Sequence, residues 1–512
     1  MNGAGVTGSS LSCVPPATAA SLELDLHLDV RLDPGQTRPA RALEQALREA
    51  IVAGRVPAGH RLPPTRALAA DLGIARTTVS EVYAQLTAEG WLEARVGAGT
   101  WVAEMTETAR AGGGAPPPVP VPGGPAGGRA GGPRVVDLSA GRPDPSRFPR
   151  PEWLAATRRV LDTASASDLG YADPRGVERL RQQLAVYLAR TRGVAATVDR
   201  ALVGHGFGGL LALACQALVA GGARRLAVEE FGHPEHRGIV TATGLQLVPL
   251  PVDEWGADVT RLGADVDAVL LTAAHQFPVG VPLSPARRRA VTGWAQATGG
   301  LVIEDDYDGE FRYERRAVGA LQAMAPDHVL YIGTASKALA PAVGLAWAVS
   351  PQRFAARMLA CRGDLDRPRD ALNQLVLAEF LAGHAYDRHV RRMRAEFRRR
   401  RDHLEQELAR RVPAARLMGV PAGLQAVIEL PAGSDPDAVV AEGLRRGVAF
   451  RTLAEYAVRP RDGHPPAIVV GFGAPPASQA SAGTTMTVAA IQAATEGAVK
   501  PASRAREQGR TP

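Results

Sequence analysis

The chain has 512 residues, 46% of them hydrophobic and 22% charged, with a formal net charge of +7 at pH 7. That length gives room for two or three domains with a sizeable core, and no apolar run is long enough to cross a bilayer. The charge suits a polyanion partner only weakly, because net charge governs solubility and non-specific binding rather than fold.

Cys13, Cys215 and Cys361 are widely spaced and odd in number, which fits a reducing cytoplasm and neither disulfides nor zinc. Residues 1–11 lack a basic start followed by an apolar stretch, so no export signal is expected. Residues 1–35 begin as a Gly/Ser/Ala-rich tail expected to be disordered, and the alternation over 22–32 predicts an edge strand. From 38 onward the pattern changes. Leu43, Leu47 and Ile51 recur at helical spacing ahead of Gly54. A second helix is predicted over 65–72, after Pro63-Pro64 and before Gly73. A third runs over 76–89 with Val79, Val82, Tyr83 and Leu86 on one face. Trp91-Leu92 and Thr100-Trp101-Val102, either side of Gly97-Ala98-Gly99, predict a hairpin. Three helices and a hairpin make a winged helix-turn-helix, and Arg61-Leu62-Pro63-Pro64-Thr65-Arg66 with Ala75-Arg76-Thr77-Thr78-Val79 resembles the GntR family. The resemblance implies that the third helix enters the major groove of double-stranded DNA, with Arg76, Thr77 and Thr78 toward base edges and Arg66 and Arg95 toward phosphates or a groove. The local charge over 38–104 is only +1, from eight basic and seven acidic residues, so the expectation rests on the motif and not on electrostatics. Ala75 stands where the family commonly has a capping serine, a loss worth about 0.5–2 kcal/mol of helix stability.

Residues 105–134 are mostly glycine and proline and read as a linker between independently folding units. The expected domains are 36–104, a DNA-binding module, and 135–500, where apolar strands alternate with amphipathic helices in an α/β pattern. Tyr171-Ala172-Asp173-Pro174-Arg175-Gly176 reads as a turn ahead of a helix carrying Leu180, Leu184, Tyr187 and Leu188. Ala201-Leu202-Val203 followed by Gly204-His205-Gly206-Phe207-Gly208-Gly209 predicts strand, glycine loop and then helix to about Ala220, a weak signal for a phosphate site. Gly300 to Asp308 predicts a buried strand of a parallel sheet that ends in carboxylates, at the end where ligands bind.

Of 59 basic residues only Lys337 and Lys500 are lysines. Lys337 sits in Gly333-Thr334-Ala335-Ser336-Lys337-Ala338, flanked by apolar sequence. Arginine stays charged and is no amine nucleophile, whereas lysine becomes one when burial lowers its pKa. A lysine kept here suits covalent chemistry with an aldehyde cofactor, pyridoxal phosphate above all; the bland alternative is a lysine on a surface loop. The order Asp305, Tyr307, Lys337 resembles the fold-type I aminotransferases, and the chain from about 36 to 495 resembles the MocR/GabR group of bacterial regulators. The fold expected is an α+β winged helix-turn-helix N-terminal domain joined to a larger α/β fold-type I aminotransferase-like domain with a mainly parallel sheet.

The resemblance implies pyridoxal 5'-phosphate at Lys337, with Asp305 holding the pyridinium and Tyr307 the ring oxygen. It also implies Gly206 and Phe207 near the phosphate, hydroxyls from Thr334 and Ser336, His233 in place of a stacking tyrosine, and Tyr171 reaching the phosphate of a partner subunit in a homodimer. His275 begins the loop expected to approach the ring oxygen, and with no third histidine nearby no metal is expected. Several positions depart from the family. Gly204, Gly208 and Gly209 replace Thr and two Gln, Gly344 replaces an arginine expected on the phosphate, and Val469 replaces the arginine that holds a substrate carboxylate, with Arg451 a candidate to compensate. One missing charge-assisted hydrogen bond is worth about 1.5–3 kcal/mol, so a weak cofactor site is expected. The expected function is a cytoplasmic transcription regulator that binds DNA and senses a small amine or vitamin B6, regulatory rather than catalytic. Alternatives are an active pyridoxal-phosphate-dependent aminotransferase with a fused DNA module, or a regulator whose large domain has lost the cofactor.

Overall fold

The computed structural model describes residues 39–95, 99–104, 135–313, 318–363, 370–459 and 464–507, with side chains to 496. Contacts gather into two units, Met1–Gly124 and Pro125–Pro512. The strand expected over 22–32 and the Gly/Pro-rich stretch 105–134 lie outside the described residues.

In the first unit α1 (Pro39–Val52), α2 (Thr65–Leu72) and α3 (Arg76–Ala88) precede the hairpin of β1 (Leu92–Arg95) and β2 (Gly99–Val102). The apolar face spaced along α1, Leu43, Leu47 and Ile51, packs into one core with Val79, Val82, Tyr83 and Leu86 of α3. Gly73 ends α2 in the left-handed region at φ 65°, which frees the chain to turn into α3. Arg61 bridges to Trp101, and Leu62 N donates to Thr100 O at 2.8 Å, so the hairpin carries a third short strand.

The second unit opens with β3 (Val136–Asp137), α4 (Arg150–Thr163) and α5 (Glu178–Arg192). Then come β4 (Ala201–His205), α6 (Gly206–Ala220), β5 (Arg225–Glu229), α7 (Pro234–Ala242), β6 (Gln246–Leu250) and the small hairpin β7 (Val252–Asp253) and β8 (Gly256–Ala257). They are followed by β9 (Ala268–Leu271), α8 (Pro285–Thr298), β10 (Leu301–Asp306), β11 (Val329–Thr334) and β12 (Leu345–Val349). The seven-stranded sheet runs β4-β12-β11-β10-β9-β5-β6. Only β12 opposes its neighbours; the other pairings are parallel. Both faces are covered, as a parallel sheet requires, by apolar clusters around Leu202, Leu226 and Ile303 on one side and Val269, Leu271 and Val302 on the other.

Helices α9 (Gln352–Arg362), α10 (Ala371–Ala382) and α11 (Ala385–Arg411) lead to β13 (Arg416–Leu417), β14 (Ala426–Glu429), α12 (Pro436–Arg445), β15 (Val448–Ala449), β16 (Arg451–Thr452), β17 (Ala467–Val470) and α13 (Ala477–Glu507). These strands form an antiparallel sheet of order β13-β14-β17-β16, while β15 pairs with β3.

The glycine loop expected at 204–209 is not a loop. Strand β4 continues through Gly204 and His205, which pair with Ala346 and Leu345, and α6 begins at once at Gly206. The amide of Gly206 donates to Gly344 O at 2.8 Å, extending the ladder one step. A positive φ of 68° at Gly206 makes this abrupt junction, a conformation that a β-carbon disfavours.

Candidate functional site

Because β4, β5, β9, β10 and β11 run the same way, their carboxyl ends share one edge of the sheet, where ligands bind in α/β folds. A cavity of about 240 Å³ opens there. Period-two alternation along β10 sends Asp305 and, just beyond the strand, Tyr307 to this side, and both line the cavity. Glu304 and Asp306 go to the other face, where Glu304 accepts from the Leu321 and Gln322 amides and Asp306 takes a buried bidentate pair with Arg192.

Lys337 follows β11 and lines the same cavity as Asp305, Tyr307, Thr334 and Ser336. Its amine is pulled below the ordinary lysine range by burial, with Asp305 and Asp308 opposing that shift. Asp305 is 4% exposed, and burial pushes its carboxyl well above the usual carboxylate range. Its Oδ2 lies 3.9 Å from His236 Nδ1, and its Oδ1 has no hydrogen-bond partner. A buried unpartnered carboxylate oxygen costs free energy unless a donor meets it. A protonated ring nitrogen is such a donor, so the residues present fit a pyridinium.

Tyr307 is held from behind. Gln425 Nε2 donates to its hydroxyl at 2.7 Å, while His275 Nδ1 sits 3.1 Å from that hydroxyl and 2.7 Å from Asp308 Oδ2. A proton on His275 Nδ1 goes to the carboxylate, which assigns the tautomer from the network. Gly423, at φ 74°, backs this pair: a β-carbon there would lie 2.4 Å from His275 Cε1.

His233 stacks on His236 with centroids 4.9 Å apart and on Phe277 at 5.5 Å, and His236 packs on Phe207 at 4.5 Å. Burial lowers the His233 pKa to about 4 and drives that of His236 well below its ordinary value, so both rings are neutral near pH 7. Thr334 Oγ1 donates to Ser336 Oγ at 3.0 Å. Phe207, at the N-terminus of α6, lines the cavity with these hydroxyls, a place where helix N–H groups can meet an anion. Gly344 adds nothing there, since no side chain leaves its backbone. Tyr171 lines no part of the cavity and is 93% exposed. Among the described residues no group of three or more His, Cys, Asp or Glu is placed to hold a metal ion. Sequence reasoning missed His236 and Gln425. His236 was findable, three residues beyond His233 on one helix face; Gln425 lies 118 residues from Tyr307 and left no local signal.

In the first unit Arg76 and Thr77 are exposed and Thr78 half-buried at the start of α3, Arg66 is exposed on α2, and Arg95 is exposed at the end of β1. Ala75 precedes α3 without any side-chain cap. Trp101 carries two guanidinium groups, Arg61 at 5.5 Å and Arg95 at 5.0 Å from its ring centroid, a pairing not anticipated for Arg61.

The family described as "Aminotransferase class I and II" matches residues 133–462, and "Bacterial regulatory proteins, gntR family" matches residues 39–102. The HTH-type pyridoxine biosynthesis transcriptional regulator PdxR of Corynebacterium glutamicum is 31% identical over 87% of this chain and 94% of its own length. The chain belongs to the MocR-type regulators. Two further members of this kind are the HTH-type transcriptional regulator TauR of Rhodobacter capsulatus, 33% identical over 72% of this chain and 79% of its own, and the probable rhizopine catabolism regulatory protein MocR of Rhizobium meliloti, 31% identical over 69% and 74%. Like them, this MocR-type chain is a transcriptional regulator that joins a GntR helix-turn-helix to an aminotransferase fold. An archaeal alanine:glyoxylate aminotransferase superposes with a TM-score of 0.64 at 22% identity, over 71% of this chain and 92% of its own, which shows the fold of the larger unit.

Proposed function

We propose that this regulator binds pyridoxal 5'-phosphate in the cavity between Lys337 and Asp305 and senses a small amine, or vitamin B6 itself, through it. The observation that carries the reading is the juxtaposition of an amine depressed by burial with a buried carboxylate whose Oδ1 is unpartnered. The cofactor supplies an aldehyde that bonds reversibly to primary amines and a ring that draws off electron density. Asp305 would hold the ring-nitrogen proton, Tyr307 the ring oxygen and His233 a side of the ring, while Thr334, Ser336 and the Phe207 amide would take the phosphate; the Gly206 amide is already spent on Gly344 O.

Arg66, Arg76, Thr77, Thr78 and Arg95 are the proposed DNA contacts, in a domain over 36–104 joined by a linker over 105–134 to an effector domain over 135–500. A homodimer in the cytoplasm is the proposed state. It is supported by exposed apolar residues on α10 and on α4 and α5, which each pack on α10, namely Leu154, Leu161, Val186 and Leu372, and by exposed Leu169 and Tyr171. Ligand binding shifts the dimer between two arrangements that differ in operator affinity.

Transamination is disfavoured by one observation: Val469 is fully buried in β17, so no cation stands at that position to orient a substrate carboxylate. Operator binding measured with and without the cofactor, and with amines added, tests the switch. A change in affinity is expected; identical affinity in all three states overturns it.

A further inference from the structure

One face of the hairpin in the first unit gathers positive charge that acids do not match. Strand β2 has a neighbour on each side: Trp101 bridges to Arg61 on one, and on the other Trp101 pairs with Glu93 and Gly99 with Arg95. Directly opposed residues, and residues two apart along a strand, share a face of the sheet, so Arg61, Glu93, Arg95 and Trp101 stand together. Leu92 and Val102, one step out of phase, are buried in the core, which puts this group on the outer face. The Trp101 ring organises it, with the guanidinium carbons of Arg61 and Arg95 at 5.5 and 5.0 Å from the ring centroid. The Arg61 side chain also lies over Gly99, where a β-carbon would come 3.0 Å from Nε and 3.3 Å from Nη2. Glycine there leaves the space that the guanidinium fills.

Both arginines are exposed and Trp101 is half-buried. Arg95 has one acid, Glu93 at 3.6 Å, whereas Arg61 makes no ion pair and no side-chain hydrogen bond among the described residues. Two guanidinium groups on one ring repel each other, and a partly exposed π face returns only a weak attraction. An anion that joins them turns the repulsion into attraction. The ring meanwhile holds each planar fork in place, so less side-chain freedom is lost when the anion is met. We propose that Arg61 is a further contact to the phosphate backbone of duplex DNA, acting beside Arg95, with Trp101 as the positioning residue that aligns both. Such a contact reads no base, so it adds affinity for every duplex and not specificity. The proposal rests on DNA binding by the first unit and is independent of the cofactor.

The test titrates the full chain into a labelled duplex of random sequence over a range of salt, and reads affinity and salt slope by anisotropy. Wild type is compared with Arg61→Ala, Arg61→Lys and Trp101→Leu, and a thermal melt of each separates a lost contact from lost folding. Arg61→Ala is expected to reduce the salt slope by about 1 and to bind about five- to tenfold more weakly at about 0.1 M salt. Arg61→Lys restores the slope, since the charge is back, but not the whole affinity, since the planar fork on the ring is gone. Trp101→Leu keeps the slope and binds about two- to fivefold more weakly, the scale of a cation–π contact at an exposed site. A slope in Arg61→Ala equal to that of wild type, or one in Arg61→Lys as low as in Arg61→Ala, overturns the contact. Wild-type affinity in Arg61→Lys overturns alignment by the ring, and this exposed substitution decides the point even where Trp101→Leu does not fold. Wild type that binds no duplex at all overturns the reading of the first unit as a DNA-binding module instead.

Discussion

His236 Nδ1 lies 3.9 Å from one oxygen of Asp305, while the other oxygen of that carboxylate meets nothing. The imidazole is neutral near pH 7, so it does not neutralise Asp305. Lys337 acts on the carboxyl through its charge, and the unpartnered oxygen is left for a donor on a ligand.

Asp305→Asn should therefore have opposite effects on stability and on binding. A carboxyl pKa raised in the folded state means that the native protein holds a proton more tightly than the unfolded chain, so ionisation at neutral pH opposes folding. Removing the charge should raise the melting temperature of cofactor-free protein. Cofactor affinity should fall about ten- to a hundredfold with the loss of one charge-assisted hydrogen bond. Thermal melting without cofactor and a fluorescence titration with it give the two readings. A variant that is both less stable and unchanged in affinity would mark Asp305 as a purely structural carboxylate.

Gly344→Arg tests the expected weakness at the phosphate end. A β-carbon at Gly344 meets nothing within 4 Å, although the backbone sits at φ 68°, a conformation that costs a side chain about 1–2 kcal/mol. A new guanidinium–phosphate bond is worth about 1.5–3 kcal/mol. The variant should lose some stability and bind pyridoxal 5'-phosphate more tightly, while wild type binds more weakly than nanomolar. Nanomolar affinity in wild type contradicts the expectation.

Much of this architecture was legible in the chain. Helical spacing in Leu43, Leu47 and Ile51 and the carboxylate-tipped run ending at Asp308 are local patterns, and local patterns survive folding. The scarcity of lysine singled out Lys337 for the same reason. Gln425 was invisible because its role depends on strand order, which no window of sequence contains. The misread loop at 204–209 has a different cause. Glycine signals conformational freedom but does not say whether the chain uses it for a loop or, as at Gly206, for a one-residue corner between strand and helix.

Glu304 offers a pH test of the buried polar layer beneath the site. Burial, aided by Asp306, raises its pKa to about 7 from an ordinary 4.5. Between those values the native state binds the extra proton, so this group's contribution to stability falls as pH rises through the window. Glu304→Gln keeps an acceptor for the Leu321 or Gln322 amide and removes the titration. The stability of the variant relative to wild type should increase from pH 5 to pH 8 in denaturant melts; a pH-independent difference contradicts the assignment.

In the DNA-binding unit, Arg76→Ala should cost about 1–3 kcal/mol on the preferred site and relax specificity at one base position. Arg95→Ala, which strips one guanidinium from the Trp101 ring, should weaken all duplexes alike and reduce the salt slope by about 1. Fluorescence anisotropy over a range of salt, with an operator selected from random duplexes, separates the two. Equal behaviour of the two variants contradicts the proposed division between base edge and phosphate.

The central claim is that the amine of Lys337 bonds the aldehyde of pyridoxal 5'-phosphate. The absorbance spectrum of the full chain with added cofactor, wild type against Lys337→Ala, tests it most directly. A visible band that is distinct from the free aldehyde in wild type and missing in the variant is the predicted result. Superimposable spectra would contradict the claim.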